Sequence, residues 1–219
     1  MIKLAVFDLD GTLCDTIEDL ATAVNVALDK LGYRTHETEA YKQMVGSGMK
    51  NLVFRALPEG HKTEAEVEQA RVLMLDYYKD HFADKTYPYD GIPELLLKLK
   101  QKGIHIAVCT NKAHNMALRV VEKLFGDIFE IVIGKTDDRP LKPDPYSVKE
   151  IMEKFGVKPN ETVFIGDSGV DIKTALNSGA TPIGVLWGFR EKQELKENGA
   201  EHLAAAPSDI YEIIENLEV

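Results

Sequence analysis

Cysteine is scarce: Cys14 and Cys109 are the only two in 219 residues. Both fall in apolar segments that read as core, so they are expected as buried, reduced thiols of a cytoplasmic protein rather than as a disulfide framework. Histidine is thin and scattered. Its six copies show no metal-ligand spacing, which argues against a zinc site. No basic block interrupts the chain. With 36 acidic and 26 basic residues, its formal net charge is -10, so nucleic acid is an unsuitable partner and an anionic membrane would repel it. No apolar run approaches the ~20 residues of a spanning helix. A single Lys3 precedes the first apolar run, with no cleavage-site pattern after it, so no signal peptide is expected. Internal repeats and low-complexity tracts are also lacking. What remains is a chain long enough for one large domain, or for one domain carrying an insert.

Short apolar runs are present, at residues 3–8, 105–109, 130–133, 162–165 and 182–186. Helical patterns lie between or after them, at 92–102, 113–125, 145–155, 170–178 and 208–217. Continuous apolar strands alternating with helices predict an α/β fold, a Rossmann-like parallel sheet with helices on both faces. Residues 16–87 break the rhythm. Ile17, Leu20, Ala21, Val24, Leu28 and Leu31 share one helical face, and Val67, Ala70, Met74, Tyr77, Tyr78 and His81 share another. Thr63 and Glu66 have capping-box spacing. About 70 residues is long for a crossover, so an inserted all-helical cap is expected over 16–87, with the core formed by 1–15 and 88–219.

The first run, IKLAVFDLDGT, delivers Asp8 and Asp10 to the end of a strand. Residues i and i+2 of an extended chain point the same way. Two carboxylates ~4 Å apart repel by about 4 kcal/mol at an effective dielectric of ~20, so a cation is needed beside them. An ionised carboxylate can attack phosphorus and its neighbour can carry a proton, which makes Asp8 a candidate nucleophile and Asp10 a candidate general acid/base.

Ligands of open parallel sheets bind beyond the carboxyl ends of the strands. Three further strand ends carry polar residues. Thr110 and Asn111 can hydrogen-bond phosphate oxygens, or can cap the following helix. Lys142 lies in Leu141-Lys142-Pro143-Asp144-Pro145, where two prolines restrict the path. It can balance negative charge, or it can be a solvated lysine. In Gly166-Asp167-Ser168-Gly169-Val170-Asp171, Asp167 stands at a strand end, while Asp171 also has capping-box spacing from Ser168. Magnesium takes oxygen ligands, one or two of them carboxylates, so Asp8 and Asp167, the Asp10 carbonyl and less securely Asp171 are the candidate metal ligands.

These four elements, in this order, resemble the haloacid-dehalogenase-type phosphohydrolases over essentially the whole chain. DLDGT is similar to the family's first motif, Thr110 to the second, Lys142 to the third and GDSGVD to the fourth. The resemblance implies an enzyme, magnesium-dependent, passing through an aspartyl-phosphate. Aspartate at position 10 matches its phosphatases and phosphomutases rather than its dehalogenases. Thr110-Asn111-Lys112 and Trp187-Gly188-Phe189-Arg190 resemble phosphoglycolate phosphatase-like members, although Trp187 and Phe189 also suit plain packing.

The implied partner is a small phosphorylated molecule. Its selection is expected in the cap, where Ser47, Gly48 and Lys50, with Asn111 from the core, are the candidate substrate-binding residues and Arg55 lies near. Lys50 and Arg55 are equally compatible with solvated helix charges. A phosphomutase and a pyrophosphatase or nucleotidase are the alternatives within the family. Outside it stands a receiver-like phospho-acceptor module, whose aspartate follows an internal strand and which has no place for a cap.

Overall fold

In this computed structural model residues 1–217 are described, so residues 218 and 219 of the expected core lie outside the described residues. The chain begins with β1 (Leu4–Phe7), buried along its whole length. Successive side chains leave opposite faces of a strand. Leu4 and Val6 accordingly join Val148, Ile151, Met152 and Ala175 on one side, while Ala5 and Phe7 join Leu96, Leu99, Val120 and Ile210 on the other. A strand covered on both faces has no polar alternation to show, which is why it reads as an apolar run.

After β1 come β2 (Cys14–Asp15), α1 (Ile17–Lys30), α2 (Thr38–Tyr41), α3 (Met49–Ala56), α4 (Glu64–His81) and β3 (Tyr87–Pro88). Strand and helix then alternate through α5 (Ile92–Gln101), β4 (His105–Ala113), α6 (His114–Phe125), β5 (Ile131–Lys135), α7 (Tyr146–Phe155), β6 (Thr162–Gly166), α8 (Gly169–Ser178), β7 (Thr181–Val185), α9 (Lys192–Glu197), β8 (His202–Ala204) and α10 (Pro207–Asn216). The main sheet has the order β5-β4-β1-β6-β7-β8, and every pairing in it is parallel. From central β1 the chain builds outward through β4 and β5 on one side and through β6, β7 and β8 on the other. A crevice opens at the carboxyl ends where that direction reverses. β8, α9 and the β2/β3 ribbon were not anticipated. Each is six residues or shorter, too short to carry a periodicity.

Four helices and no strand occupy 17–81. α1 buries Ile17, Leu20, Ala21, Val24 and Leu28, and α4 buries Val67, Ala70, Met74 and Tyr78. Each large apolar side chain so buried is worth roughly 1.5–3 kcal/mol. The α4 capping box forms as spaced, with the Thr63 N–H donating to Glu66 at 3.1 Å and the Glu66 N–H donating to Thr63 Oγ1 at 3.4 Å. Entry and exit of this segment run side by side as an antiparallel ribbon, with Cys14 opposite Pro88 and Asp15 opposite Tyr87. Buried Asp19 ties them further: its carboxylate accepts the Lys85 N–H at 3.1 Å, the Thr86 N–H at 2.9 Å and the Thr86 hydroxyl at 2.7 Å. Both cysteines are free and buried, and burial foremost raises both thiol pKa values, Cys109 to about 12. Among the described residues, no helix is long and apolar enough to cross a membrane.

Candidate active site

Strand register brings the polar ends together. Phe7 lies opposite Val108 on β4 and Ile165 on β6. Asp8, Thr110 and Asp167 therefore emerge within a residue or two of one level. The strand proper ends at Phe7, although the Asp8 N–H still donates to the Ile165 carbonyl at 2.9 Å. Gly11 then turns the chain with φ +84°, and a Cβ there would stand 2.5 Å from Asp167 Oδ2. Only glycine satisfies both demands.

Three buried carboxylates, Asp8, Asp167 and Asp171, offer oxygens within 4.8 Å of one another. One ammonium answers them. Lys142 Nζ lies 2.8 Å from Asp8 Oδ1 and 2.7 Å from Asp171 Oδ1. The other Asp171 oxygen accepts the Ser168 N–H at 3.1 Å and its hydroxyl at 2.6 Å, closing the α8 capping box. Asp171 is thus the cap its spacing suggested and also a partner of Lys142. Asp167 accepts the Phe189 N–H at 2.7 Å and the Thr12 hydroxyl at 3.3 Å. Asp10 stands apart from this group, gripped by Lys112 Nζ at 2.9 and 3.2 Å. Lys112 is itself buried and lies 5.2 Å from the ring centre of Tyr78 on α4. The Thr110 hydroxyl accepts the Lys112 N–H at 3.2 Å.

The electrostatics record an unmet need for positive charge. Burial, opposed by Lys142, pushes the Asp8 carboxyl up to about 6. Burial, reinforced by repulsion from Asp171 and Asp8, pushes Asp167 up to about 8. Burial works against the Lys142 ammonium, but Asp171 and Asp8 outweigh it and hold its pKa above the ordinary lysine value. Asp8 Oδ1 is buried, lies 2.8 Å from the Lys142 ammonium and has no hydrogen-bond donor of good geometry. Three acids against one base, with an oxygen left open, fit a hard divalent cation bound by carboxylates.

A raised carboxyl pKa means that the native state keeps a proton that the unfolded chain has already released. For Asp167 that window runs from about pH 4 to about 8, and across it the metal-free protein loses stability as pH rises. An Asp167→Asn variant keeps an acceptor for the Phe189 N–H and removes the penalty. In chelator, its stability relative to the parent is expected to grow by on the order of 2 kcal/mol between pH 5.5 and 8. Urea melts at the two pH values measure this. A parallel offset at both would show that Asp167 does not carry the strain.

The cleft at these strand ends is also lined by Leu20, Val45, Gly46, Gly48, Met49 and Leu52, and by Phe189 and Arg190. Residues 5–185 match the family model of the haloacid dehalogenase-like hydrolases. The chain belongs to that family. Among relatives of this hydrolase, the phosphoglycolate phosphatase of Neisseria meningitidis is 33% identical, the match covering 99% of this chain and 94% of the relative. That of Chromobacterium violaceum is 31% identical over 98% of this chain and 97% of the relative. The crystal structure of a candidate phosphoglycolate phosphatase from Lactobacillus delbrueckii subsp. bulgaricus has a TM-score of 0.92 at 34% identity, covering 97% and 98% of the two chains. The chain is accordingly a haloacid dehalogenase-like phosphatase, an enzyme acting on phosphoric monoesters.

Within this hydrolase, Asp8, Asp10, Thr110, Asn111, Asp167 and Gly48 all line the one cleft, with Lys142 and Asp171 directly behind Asp8. Lys50 does not reach it. Its ammonium pairs with Glu64 at 3.1 Å on the surface. Ser47 does not line the cleft either, and its carbonyl accepts from Asn51 at 2.8 Å. Arg55 donates to the Met44 carbonyl at 2.9 Å instead of entering the cleft. Lys112, Thr12 and Arg190 were not assigned as site residues from sequence. Lys112 had a readable signal: it lies two residues past Thr110, on the same side of a strand that runs on to Ala113. Arg190 lies on the loop after β7, and its one signal was its place in the run Trp187-Gly188-Phe189-Arg190.

Proposed function

We propose that this phosphatase hydrolyses a small phosphomonoester with magnesium, through an aspartyl-phosphate on Asp8, and that phosphoglycolate is the substrate class. The observation carrying this reading is the separation of the two neighbouring aspartates. Asp8 is set among Asp167, Asp171 and Lys142, and Asp10 is held apart by Lys112. Two carboxylates in different environments suit two different jobs.

In this reading, an Asp8 oxygen attacks phosphorus, forming the acyl-phosphate bond as the bond to the leaving oxygen breaks. Asp10 gives its proton to that oxygen. Asp10 then takes a proton from water, whose oxygen attacks the same phosphorus, releasing inorganic phosphate and restoring Asp8. Lys142 and the Thr110 hydroxyl hold the phosphoryl oxygens where charge gathers. Magnesium, held by Asp8, Asp167 and the Asp10 carbonyl, would offset the charge of a phosphate dianion brought against carboxylates. Asp171 keeps Lys142 in place.

The division into a core of 1–15 and 88–219 and a cap of 16–87 belongs to the same reading, supported by the ribbon that is the segment's shared entry and exit. The cap side of the cleft is apolar, formed by Leu20, Val45, Met49 and Leu52. The cleft is partly open to solvent and its inner volume is about 50 Å³, small beside the several hundred Å³ of a pocket for a drug-sized ligand. Among the described residues, the cations lining it are Lys112 and Arg190, so a glycolate carboxylate would be met from the core side. Phosphate release from glycolate, hexose, nucleotide and pyrophosphate substrates, with magnesium and with chelator, tests the proposal. Phosphoglycolate is expected to lead by at least about tenfold in kcat/KM, with about 10²-fold or greater loss in chelator. Conversion between sugar 1- and 6-phosphates without net phosphate release would overturn the reading in favour of a mutase.

A further inference from the structure

We infer that Asn111 is a positioning residue that makes docking of the 42–46 segment a condition for holding Lys142 in place. Asn111 is buried at the end of β4, and its carboxamide spans two distant pieces of chain. One Nδ2–H donates to the Gly46 carbonyl at 3.0 Å, and the other to the Lys142 carbonyl at 3.2 Å. Oδ1 accepts the Lys142 N–H at 2.8 Å. Both donors and an acceptor site are spent on backbone, so in this conformation the side chain is not free to bind substrate, in contrast to the role expected from sequence.

A second core side chain grips the same segment. Arg190, on the loop after β7, donates to the Lys42 carbonyl, and its Nη2 donates to the Val45 carbonyl at 2.8 Å. Three carbonyls within five residues, 42, 45 and 46, are thus satisfied by two side chains of the sheet's carboxyl edge. Gly46 has φ +107°, a backbone conformation that glycine adopts without strain.

The coupling follows from hydrogen-bond accounting. A buried amide is costly to leave unpaired. With Gly46 docked, Asn111 has one orientation that satisfies all its groups, and that orientation clamps Lys142 by both its N–H and its C=O. With the segment lifted, the Nδ2–H facing Gly46 loses its partner and the amide can rotate towards water. The Lys142 backbone then loses its clamp, and the ammonium loses its fixed station 2.8 Å from Asp8. The segment's position thereby reaches the lysine through a single side chain.

The kinetic readout rests on the phosphatase reading, whereas hydrogen exchange does not. Exchange is followed on the full chain with magnesium and inorganic phosphate present, in peptides covering 42–49 and 139–146. Asn111→Ala is expected to speed exchange about tenfold in both, and to lower kcat by about 10- to 100-fold with KM changed less than about threefold. Arg190→Ala removes the contacts to the 42–46 segment and a 3.4 Å ion pair with Glu194, none of which involves Lys142, so exchange around Lys142 and not kcat is its deciding readout. It is nevertheless expected to speed exchange around Lys142 by at least about threefold, and Arg190→Lys to restore part of the protection. Because both residues serve one docking step, the double variant should lose less kcat than the product of the single losses. Should Asn111→Ala fail to fold, the two Arg190 variants still decide the matter, since neither touches Lys142. Exchange around Lys142 unmoved by Arg190→Ala, or kinetic losses that multiply, would overturn the coupling. An active parent with a fully active Asn111→Ala defeats the inference alone. A parent that releases no phosphate from any monoester defeats the phosphatase reading, while the exchange data still judge the coupling.

Discussion

Asp8→Asn is expected to abolish phosphate release, with kcat reduced by at least about 10⁴-fold, while the protein stays folded. An amide at this position retains the shape of the side chain and lacks the nucleophilic oxygen anion. Loss of a covalent nucleophile is among the most damaging single changes an active site can suffer. Stability is expected to hold for a specific reason. Lys142 keeps its 2.7 Å contact with Asp171, so no buried ammonium is stranded, and the burial cost borne by the Asp8 carboxylate disappears. Phosphate release beside a thermal melt measures both. A fully active Asp8→Asn protein would show that phosphorus is attacked by something other than Asp8.

Lys142→Met carries the second large effect, and it strikes stability as well as activity. Among the described residues, this lysine is the one buried ammonium in contact with both Asp8 and Asp171. Removing it leaves two buried acids without their counter-charge. Breaking a buried pair from one side typically costs about 3–5 kcal/mol. At pH 7.5 a loss of that order is expected. The sign with pH follows from Asp8, already raised to about 6 with the lysine present. Without it the carboxyl rises further, the native state retains protons longer, and the variant regains stability as pH falls towards 5. Activity is expected to drop by about 10³-fold or more, because in the proposed mechanism Lys142 faces the charge that builds on the phosphoryl group. Combining Lys142→Met with Asp171→Asn separates the two effects. Stability should recover in part, since one stranded acid is gone, and activity should not. Recovery of both would reduce Lys142 to a structural counter-ion.

The reading of individual residues shows where sequence suffices. The apolar run before Asp8 and the glycine after Asp10 are local facts, and they placed Asp8 directly after the strand that forms as β1, while Asp10, three residues past its end, went to Lys112. Asp167 was legible for the same reason, at the end of β6. Asp171 was legible only by half. Three-residue spacing from Ser168 indicated the cap, whereas its 2.7 Å contact with Lys142 joins residues 29 apart along the chain. Lys50 shows the opposite case. A lysine beside a Gly-Ser-Gly turn had the right chemistry for a substrate anion, but the rotation of α3 about its axis sends it towards Glu64 and presents Met49 and Leu52 to the cleft. Helix rotation is set by which face buries its apolar side chains against neighbours, and those neighbours are not written in the local window.

By itself, the sequence determined the strand–helix alternation, the apolar runs of the doubly covered sheet and the polar residues that follow β1 and β6 and close β4, whereas Lys142, expected at a fourth strand end, lies in the loop seven residues past β5. Each depends on nearest neighbours and on side-chain periodicity. The tertiary structure alone decided the rest. Parallel register brought Asp8, Thr110 and Asp167 to one level. Lys112 went to Asp10 and Lys142 to Asp8. Asn111 and Arg190 were spent on the carbonyls of a segment some 65 and 145 residues away in sequence. Coulombic attraction and hydrogen bonding act through space and ignore chain order, so which lysine meets which aspartate is fixed only when the sheet and the helices of 17–81 have packed around them.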